Sequence, residues 1–303
     1  MRADAAGGNG VATSRVLDEA IATDFQESIF RYGKDQSGIG ILTAPADTQH
    51  SNETLPITVI FNSGLLHRSE PYRLNVLIAR RLARLGITTL RVDLAGKGDT
   101  PTREGDSNRE SVAMDWADIR HELTRLFGER TFVLMGICSG ADNSIKLAVS
   151  DEQVVGLVLM DAICPVDSGY AKRKLLSKLG NAGFLWRLPG RLMRELSSRL
   201  KFEKSQPEEK QVLRDAPRPE ELITCMKEMV RRDGNVLAVF SNTSDSYYNV
   251  QGQMTSVLAI DGLEKICREV WWPYVTHIYP IQQHRNLLVD QIDRWFAERI
   301  VQQ

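Results

Sequence analysis

The 303-residue sequence lacks several features that would assign it to a common class of protein. Its longest apolar run, Val154–Met160, ends at Asp161, whereas a membrane-spanning helix needs about 18 apolar residues. Its formal net charge is −1, whereas general nucleic-acid binders are usually clearly basic. No G-x-G-x-x-G motif follows the strand predicted at residues 57–61, and no phosphate-binding loop is visible in the sequence. We therefore expect no membrane span, no nucleic-acid partner and no dinucleotide cofactor.

Cysteine is also scarce, with four residues at positions 138, 164, 225 and 267. No pair forms C-x-x-C, and the spacings fit neither a zinc site nor a disulfide framework. We therefore expect reduced thiols in a cytoplasmic protein, with no metal and no cofactor. Three of the four are expected to be buried apolar residues. Cys138 differs because of the motif around it.

The pattern that is present from residue 28 onwards is an alternation of strand-like and helix-like segments. Such alternation predicts βαβ units and a mostly parallel sheet, which places the chain in the α/β class. Strands are predicted at residues 28–32, 38–43, 57–61, 87–92, 131–135, 154–160, 235–240 and 275–279. Helices are predicted at residues 73–85, 108–127, 140–149 and 219–232, with a final helix from about residue 287.

The alternation breaks between residues 165 and 218, where no strand is predicted. Leucines recur there every four residues from Leu188 to Leu200, which is typical of a helix, and Pro189 suits a first helical turn. We interpret residues 165–218 as a helical cap inserted into a core formed by residues 28–164 and 219–303. Residues 1–27 lack the apolar segment of a signal peptide and are predicted to form a flexible tail.

The segment Gly136-Ile-Cys-Ser-Gly140 lies between a predicted strand and a predicted helix, and it matches the G-x-Nu-x-G pattern of a nucleophile elbow. The turn is so tight that the residues two before and two after the nucleophile must be small. Centring the turn on Cys138 places glycines at both positions. Centring it on Ser139 would place Ile137 at one of them. The pattern therefore favours Cys138 as the nucleophile and keeps Ser139 as the alternative.

An elbow of this type requires an acid and then a histidine later in the chain. Asp245 follows the strand predicted at residues 235–240 and is the first choice for the acid. Asp161, at the end of the strand after the elbow, is its rival. His284 lies between the last predicted strand and the last helix, so it is the first choice for the base. His277 falls inside that predicted strand and is the alternative.

Acyl chemistry also needs N–H groups that stabilise an oxyanion. The Ser139 amide, at the start of a helix, is one candidate because the helix dipole favours negative charge there. The other candidate is the Leu65 amide, in the loop after residues 57–61. Gly64 would form the turn that presents this amide.

These segments resemble the α/β-hydrolase superfamily. The likeness is carried by Phe61–Arg73, residues 79–83, the turn Arg91–Asp99 and Gly136–Ala141. Within the superfamily they look closest to the exosortase-A-system-associated hydrolases, and the cysteine elbow is also similar to dienelactone hydrolases and polyhydroxyalkanoate synthases. The resemblance implies an α/β-hydrolase fold, a mostly parallel sheet flanked by helices. It also implies acyl chemistry on an ester, lactone or thioester.

Three functional hypotheses follow. The first is a hydrolase that uses a Cys–His–Asp triad and a covalent acyl-enzyme. The second is an acyltransferase that passes the acyl group to an alcohol or amine, and the third is a non-catalytic binding protein with the same fold. Residues 172–204 carry ten Lys or Arg and two Asp or Glu. This basic stretch suits an anionic carrier of the acyl group, such as coenzyme A or acyl carrier protein, or an anionic membrane surface.

Overall fold

The computed structural model describes residues 24–46, 54–179 and 214–302. One eight-stranded sheet organises these residues, with the strands in the spatial order β1-β2-β4-β3-β5-β6-β7-β8. The strands are β1 Phe25–Tyr32, β2 Gly38–Pro45, β3 Ile57–Phe61, β4 Thr89–Asp93, β5 Phe132–Ile137, β6 Val154–Met160, β7 Asn235–Ser241 and β8 Cys267–Trp272. The pairs β1–β2 and β2–β4 are antiparallel, and all other pairs are parallel.

Helices cover both faces of the sheet. They are α1 Leu74–Arg84, α2 Asn108–Phe127, α3 Ser139–Ser150, α4 Tyr170–Leu179, α5 Pro219–Arg231, α6 Gln253–Leu258, α7 Leu263–Ile266 and α8 Gln282–Phe296. Helices α2, α3 and α5 contribute to the apolar core on one face. Helices α1 and α8 contribute to the core on the other. Strands β3 to β7 are almost entirely buried, and the mostly apolar sequences of β3, β5, β6 and β7 are those expected of strands covered on both faces.

The register of the central strands brings their carboxyl ends to one edge of the sheet. Gly136 near the end of β5 pairs with Phe61 of β3 on one side and with Leu159 of β6 on the other. Met160 in turn pairs with Val239 of β7. In open α/β sheets this edge is where ligands bind. The loops after β3, β5, β6 and β7 therefore meet around a single place.

The sequence prediction of the last strand was wrong. The last strand is Cys267–Trp272, which pairs in parallel with β7, and residues 275–279 form a loop. Val275 and Tyr279 are apolar because they are buried within the core, not because they belong to the sheet. The carbonyl of Val275 accepts a hydrogen bond of 2.8 Å from the N–H group of Asn242, which ties this loop to the end of β7. The last helix begins at Gln282, earlier than predicted.

The predicted tail and cap are described only in part. β1 begins at Phe25, so residues 25–27 belong to the sheet and not to the predicted tail at 1–27. Helix α4 lies at the start of the predicted cap at 165–218. The leucine repeat from Leu188 to Leu200 and most of the basic stretch lie outside the described residues. In the ranges that are described, no helix combines the length and apolar content needed to cross a bilayer.

We expect Leu157→Ala to lower the free energy of unfolding by about 2–5 kcal/mol, because it leaves a cavity in the middle of the sheet. Leu157 is fully buried in β6, between the two helical layers. Leu126→Ala, on the outer face of α2, is the matched control and should change stability by less than about 0.5 kcal/mol. Urea denaturation would measure both. Equal losses in the two variants would contradict the assignment of β6 to the centre of the sheet.

Candidate active site

Cys138 occupies the turn between β5 and α3 in a strained backbone conformation. Its φ is 53° and its ψ is −115°, outside the regions that non-glycine residues ordinarily adopt. Such strain costs on the order of 1–3 kcal/mol and persists only where the surrounding structure enforces it. Here the enforcement comes from the buried strand before Cys138 and the buried helix after it. The thiol is partly exposed, whereas the other three cysteines are buried.

The glycines on either side of this turn are required by close backbone contacts. A Cβ atom on Gly136 would overlap the backbone of Gly140 and Ala141. A Cβ atom on Gly140 would lie 2.9 Å from the carbonyl oxygen of Phe61, at the end of β3. This is the crowding that the sequence pattern predicts for an elbow centred on residue 138. Only glycine, which has no Cβ atom, avoids these overlaps at positions 136 and 140.

The Ser139 hydroxyl is engaged on the other side of the elbow. Its Oγ accepts a hydrogen bond of 2.7 Å from the N–H group of Gly64, in the loop after β3. Ser139 is 8% exposed. The hydroxyl therefore fixes the β3 loop against the elbow instead of facing a base. This geometry favours Cys138 over the alternative nucleophile, Ser139.

His277 lies in the loop between β8 and α8, and its ring joins two of the candidate residues. Its Nδ1 atom is 2.5 Å from Oδ2 of Asp161, which leaves Nε2 for the Cys138 side chain. Burial alone would lower the pKa of His277. The hydrogen bonds and negative charges of Asp161 and Cys138 outweigh burial and raise this pKa to about 9. The imidazole is therefore protonated at neutral pH when the thiol is ionised.

Asp161 follows β6 directly and is held as a buried carboxylate. Its φ is 49°, and its oxygens accept hydrogen bonds from the Ser241 N–H group at 2.6 Å, from Ser241 Oγ at 2.8 Å and from Ser244 Oγ at 2.6 Å. Burial would raise the pKa of Asp161, but these bonds and His277 lower it below its ordinary value. The ends of β6 and β7 thus hold a negative charge directly behind the imidazole.

The residues chosen first from sequence as acid and base are not brought together. Asp245 is exposed in the short 3-10 helix Asn242–Ser246, and its backbone carbonyl accepts a hydrogen bond from the Tyr170 hydroxyl. His284 lies in the first turn of α8 with its ring against Tyr274 at 6.0 Å. Among the described residues, no hydrogen bond or ion pair joins the two. The geometry instead joins Asp161 to His277, because the loop that follows the true last strand carries His277.

Two backbone N–H groups remain candidates for an oxyanion hole. Ser139 is the first residue of α3, so its N–H group has no partner within the helix. Gly64 adopts a φ of 53°, as a turn glycine can, and its own N–H group is occupied by the Ser139 hydroxyl. The next N–H group along the loop, that of Leu65, donates to no other described residue. The side chain of Leu65 is 70% exposed.

Arg214 is a residue of this site that sequence analysis missed. Its guanidinium forms a two-bond ion pair with the fully buried Asp142 of α3, at 2.6 and 3.0 Å. The same guanidinium donates to the backbone carbonyl of Asp161 at 3.2 Å. No motif marks Arg214, because it comes 76 positions after Cys138 in the chain. Only the fold brings the two together.

A second cluster of ligand-type side chains lies nearby but is already charge-compensated. His67, Asp93 and Asp99 bring one ligand atom each within 4.8 Å of one another. Arg68 pairs with both carboxylates, at 2.8 Å to Asp99 and in a short contact with the buried Asp93. The Arg68 N–H group also donates to Asp93 at 2.6 Å. The cluster therefore anchors the β3 loop to the turn after β4, and we assign it no metal.

Comparison with known proteins identifies the architecture. No protein-family model matches the chain, and no curated protein is detectably similar in sequence. Solved structures do match: a dienelactone hydrolase from Anabaena variabilis is 14% identical with a TM-score of 0.53, over 91% of this chain and 99% of that one. The chain has the α/β-hydrolase fold.

Two further structures with the α/β-hydrolase fold cover nearly the whole chain. Est1E from Butyrivibrio proteoclasticus, solved with ferulic acid bound, is 17% identical with a TM-score of 0.55, over 89% of this chain and 99% of that one. An esterase of Pyrococcus furiosus is 11% identical with a TM-score of 0.55, over 97% of this chain and 96% of that one. At these identities the likeness establishes the α/β-hydrolase fold alone.

We expect Cys138 to be the cysteine that iodoacetamide modifies first in the native protein at pH 7. The other three are buried, and burial raises the pKa of Cys225 to about 12 and the pKa values of Cys164 and Cys267 even further. Peptide mapping by mass spectrometry after brief labelling would identify the modified residue. Denatured protein is the control and should be labelled at all four. Native labelling of any other cysteine before Cys138 would contradict this prediction.

Proposed function

We propose that this protein is a cysteine-dependent ester or thioester hydrolase with Cys138 as nucleophile, His277 as base and Asp161 as the orienting acid. The observation that carries the proposal is the position of His277, which bonds the buried Asp161 through Nδ1 and faces Cys138 with the other side of its ring. Three groups in this order are the arrangement that activates a nucleophile. The strained turn supports the proposal because it places Cys138 just before the first residue of α3, outside the helix.

In the first step the Cys138 thiolate attacks the carbonyl carbon of the substrate. The proton of the thiol resides on His277, and Asp161 stabilises the resulting imidazolium. The carbonyl oxygen gains negative charge as the carbon becomes tetrahedral. The N–H groups of Ser139 and Leu65 are the proposed donors to this oxygen, and the dipole of α3 favours the charge.

The intermediate then collapses and the leaving group departs with the proton from His277. The acyl group remains on the sulfur of Cys138 as a thioester. Neutral His277 next removes a proton from a water molecule, which attacks the thioester carbonyl. The tetrahedral intermediate collapses, the bond between carbon and the sulfur of Cys138 breaks, and the carboxylic acid departs. The proton taken from water stays on His277, so the thiolate–imidazolium pair is restored.

The structural neighbours favour hydrolysis over transfer to an alcohol or amine. Those with TM-scores above 0.5 include a protein named as a dienelactone hydrolase, Est1E with ferulic acid bound, and a protein named as an esterase. The finer resemblance to exosortase-A-system-associated hydrolases rests on the sequence motifs alone. A carrier-bound acyl substrate stays part of the proposal because of the basic stretch at residues 172–204.

We expect His277→Ala to lower kcat/KM for p-nitrophenyl butyrate and for a butanoyl thioester by on the order of 10³-fold, because the proposed proton carrier is removed. His284→Ala is the matched control and should retain most of the activity. Steady-state kinetic assays of both variants would measure kcat/KM, and circular dichroism would confirm that both are folded. A greater loss in His284→Ala than in His277→Ala would return the base to His284 and overturn the proposed triad.

The pH dependence of turnover should identify which aspartate is the acid of the proposed triad. Asp161 helps to raise the pKa of His277 to about 9, so turnover that needs protonated His277 should decline as pH rises through about 9. Asp161→Asn removes the negative charge and should move this alkaline limb toward lower pH by at least about one unit, with a loss in rate. Asp245→Asn is the control.

A pH profile of kcat/KM between pH 5 and 10 would test this expectation. The alkaline limb of Asp245→Asn should coincide with that of the unsubstituted protein. If Asp245→Asn shifted the limb and Asp161→Asn did not, Asp245 would be the acid.

A further inference from the structure

An apolar cavity of about 390 Å³ lies at the carboxyl ends of β6 and β7. Its walls come from the segment after β6, the segment that leads into α5, and the residue that follows the short 3-10 helix. They are formed mainly by carbon atoms of Ile163, Pro165, Val166, Ala216, Pro217 and Leu222. Cavities of this size are within the range that small-molecule ligands occupy.

The cavity adjoins the proposed triad through one peptide group. Tyr247 and Arg214 both line the cavity. The Tyr247 hydroxyl and the Arg214 guanidinium each donate to the backbone carbonyl of Asp161, both at 3.2 Å. The side chain of the same Asp161 bonds His277. The Arg214 guanidinium also lies near enough to Cys138 to interact with it electrostatically, so the cavity wall and the proposed nucleophile share a neighbour.

The two polar residues of the cavity wall bring no uncompensated positive charge to it. The charge of Arg214 is taken by the buried Asp142, whose two oxygens it contacts at 2.6 and 3.0 Å. Burial raises the pKa of Tyr247 to about 12, so its hydroxyl stays protonated and serves as a donor to Asp161. What remains for a ligand is apolar surface, and Leu222 at its base is fully buried.

We propose that this cavity receives the acyl part of the substrate, and that the acyl group is an uncharged aliphatic chain of about eight carbons. The proposal rests on the proposed acyl-transfer function of Cys138 and adds the substrate class to it. A chain of this length fits the volume, since a methylene group occupies about as much space as a water molecule, roughly 30 Å³. A terminal carboxylate would be buried without a partner, which is unfavourable.

A series of S-acyl-N-acetylcysteamine thioesters tests the substrate class. We expect kcat/KM to rise about threefold for each added methylene from acetyl to octanoyl, because each is removed from water in the cavity. The succinyl thioester, which has the same number of carbons as the butanoyl thioester, should be at least tenfold poorer because of its carboxylate. Equal rates along the series, or a faster succinyl than butanoyl thioester, would overturn the proposal.

Ala216→Phe should fill the cavity without touching the triad. We expect it to lower kcat/KM for the octanoyl thioester at least tenfold, and to lower the ratio of octanoyl to acetyl kcat/KM by a similar factor. Ala113→Phe, on the exposed face of α2, is the matched control and should change neither. Unaltered chain-length preference in Ala216→Phe would contradict the assignment of the cavity.

Direct binding separates this inference from the proposed function. Octanoyl thioester should bind Cys138→Ala in isothermal titration calorimetry, and adding Ala216→Phe should weaken that binding at least tenfold. If binding behaved in this way but the unsubstituted protein turned over no thioester or ester, the proposed function would fail and the apolar subsite would stand. If turnover occurred but Ala216→Phe changed neither binding nor chain-length preference, the subsite would fail and the proposed function would stand.

Discussion

The contact between His277 and Asp161 is the interaction on which the rest of the site depends. A carboxylate buried at the end of β6 is costly unless its oxygens are fully bonded. Here two serines at the end of β7 and the imidazole supply those bonds. The charge in turn keeps His277 protonated and oriented toward the elbow. The proposed role of Cys138 therefore depends on the adjacent ends of two parallel strands.

The elbow and the loop after β3 form a second unit with its own constraint. Gly140 allows α3 to approach the carbonyl of Phe61, and the Ser139 hydroxyl accepts the N–H group of Gly64. The residue beside the proposed nucleophile thus fixes the loop that carries the proposed oxyanion donor at Leu65. Cys138 and Ser139 thus differ in their contacts: the Cys138 thiol faces His277, whereas the Ser139 hydroxyl binds the loop after β3.

Most of the sheet and the elbow could be predicted from the sequence, because both follow from local rules. The apolar run at Val154–Met160 and the glycines at 136 and 140 have one structural interpretation each. The acid and base could not be chosen in this way. Their assignment depended on which apolar segment forms the last strand. β8 at Cys267–Trp272 mixes charged and aromatic residues, whereas the loop at 275–279 resembles a strand in sequence because its two ends, Val275 and Tyr279, are buried in the core.

Arg214 could not be predicted from the sequence at all. Its partners, Asp142 and Asp161, are recognisable only once the chain is folded.

Asp161 has separate contacts through its side chain and through its backbone. Its carboxylate meets the imidazole, while its backbone carbonyl meets Arg214 and Tyr247 on the cavity wall. A single residue therefore links the proposed triad to the wall of the apolar cavity. Substitutions of side chains in the cavity wall would change the shape of the cavity, whereas its link to the proposed triad runs through the backbone of Asp161.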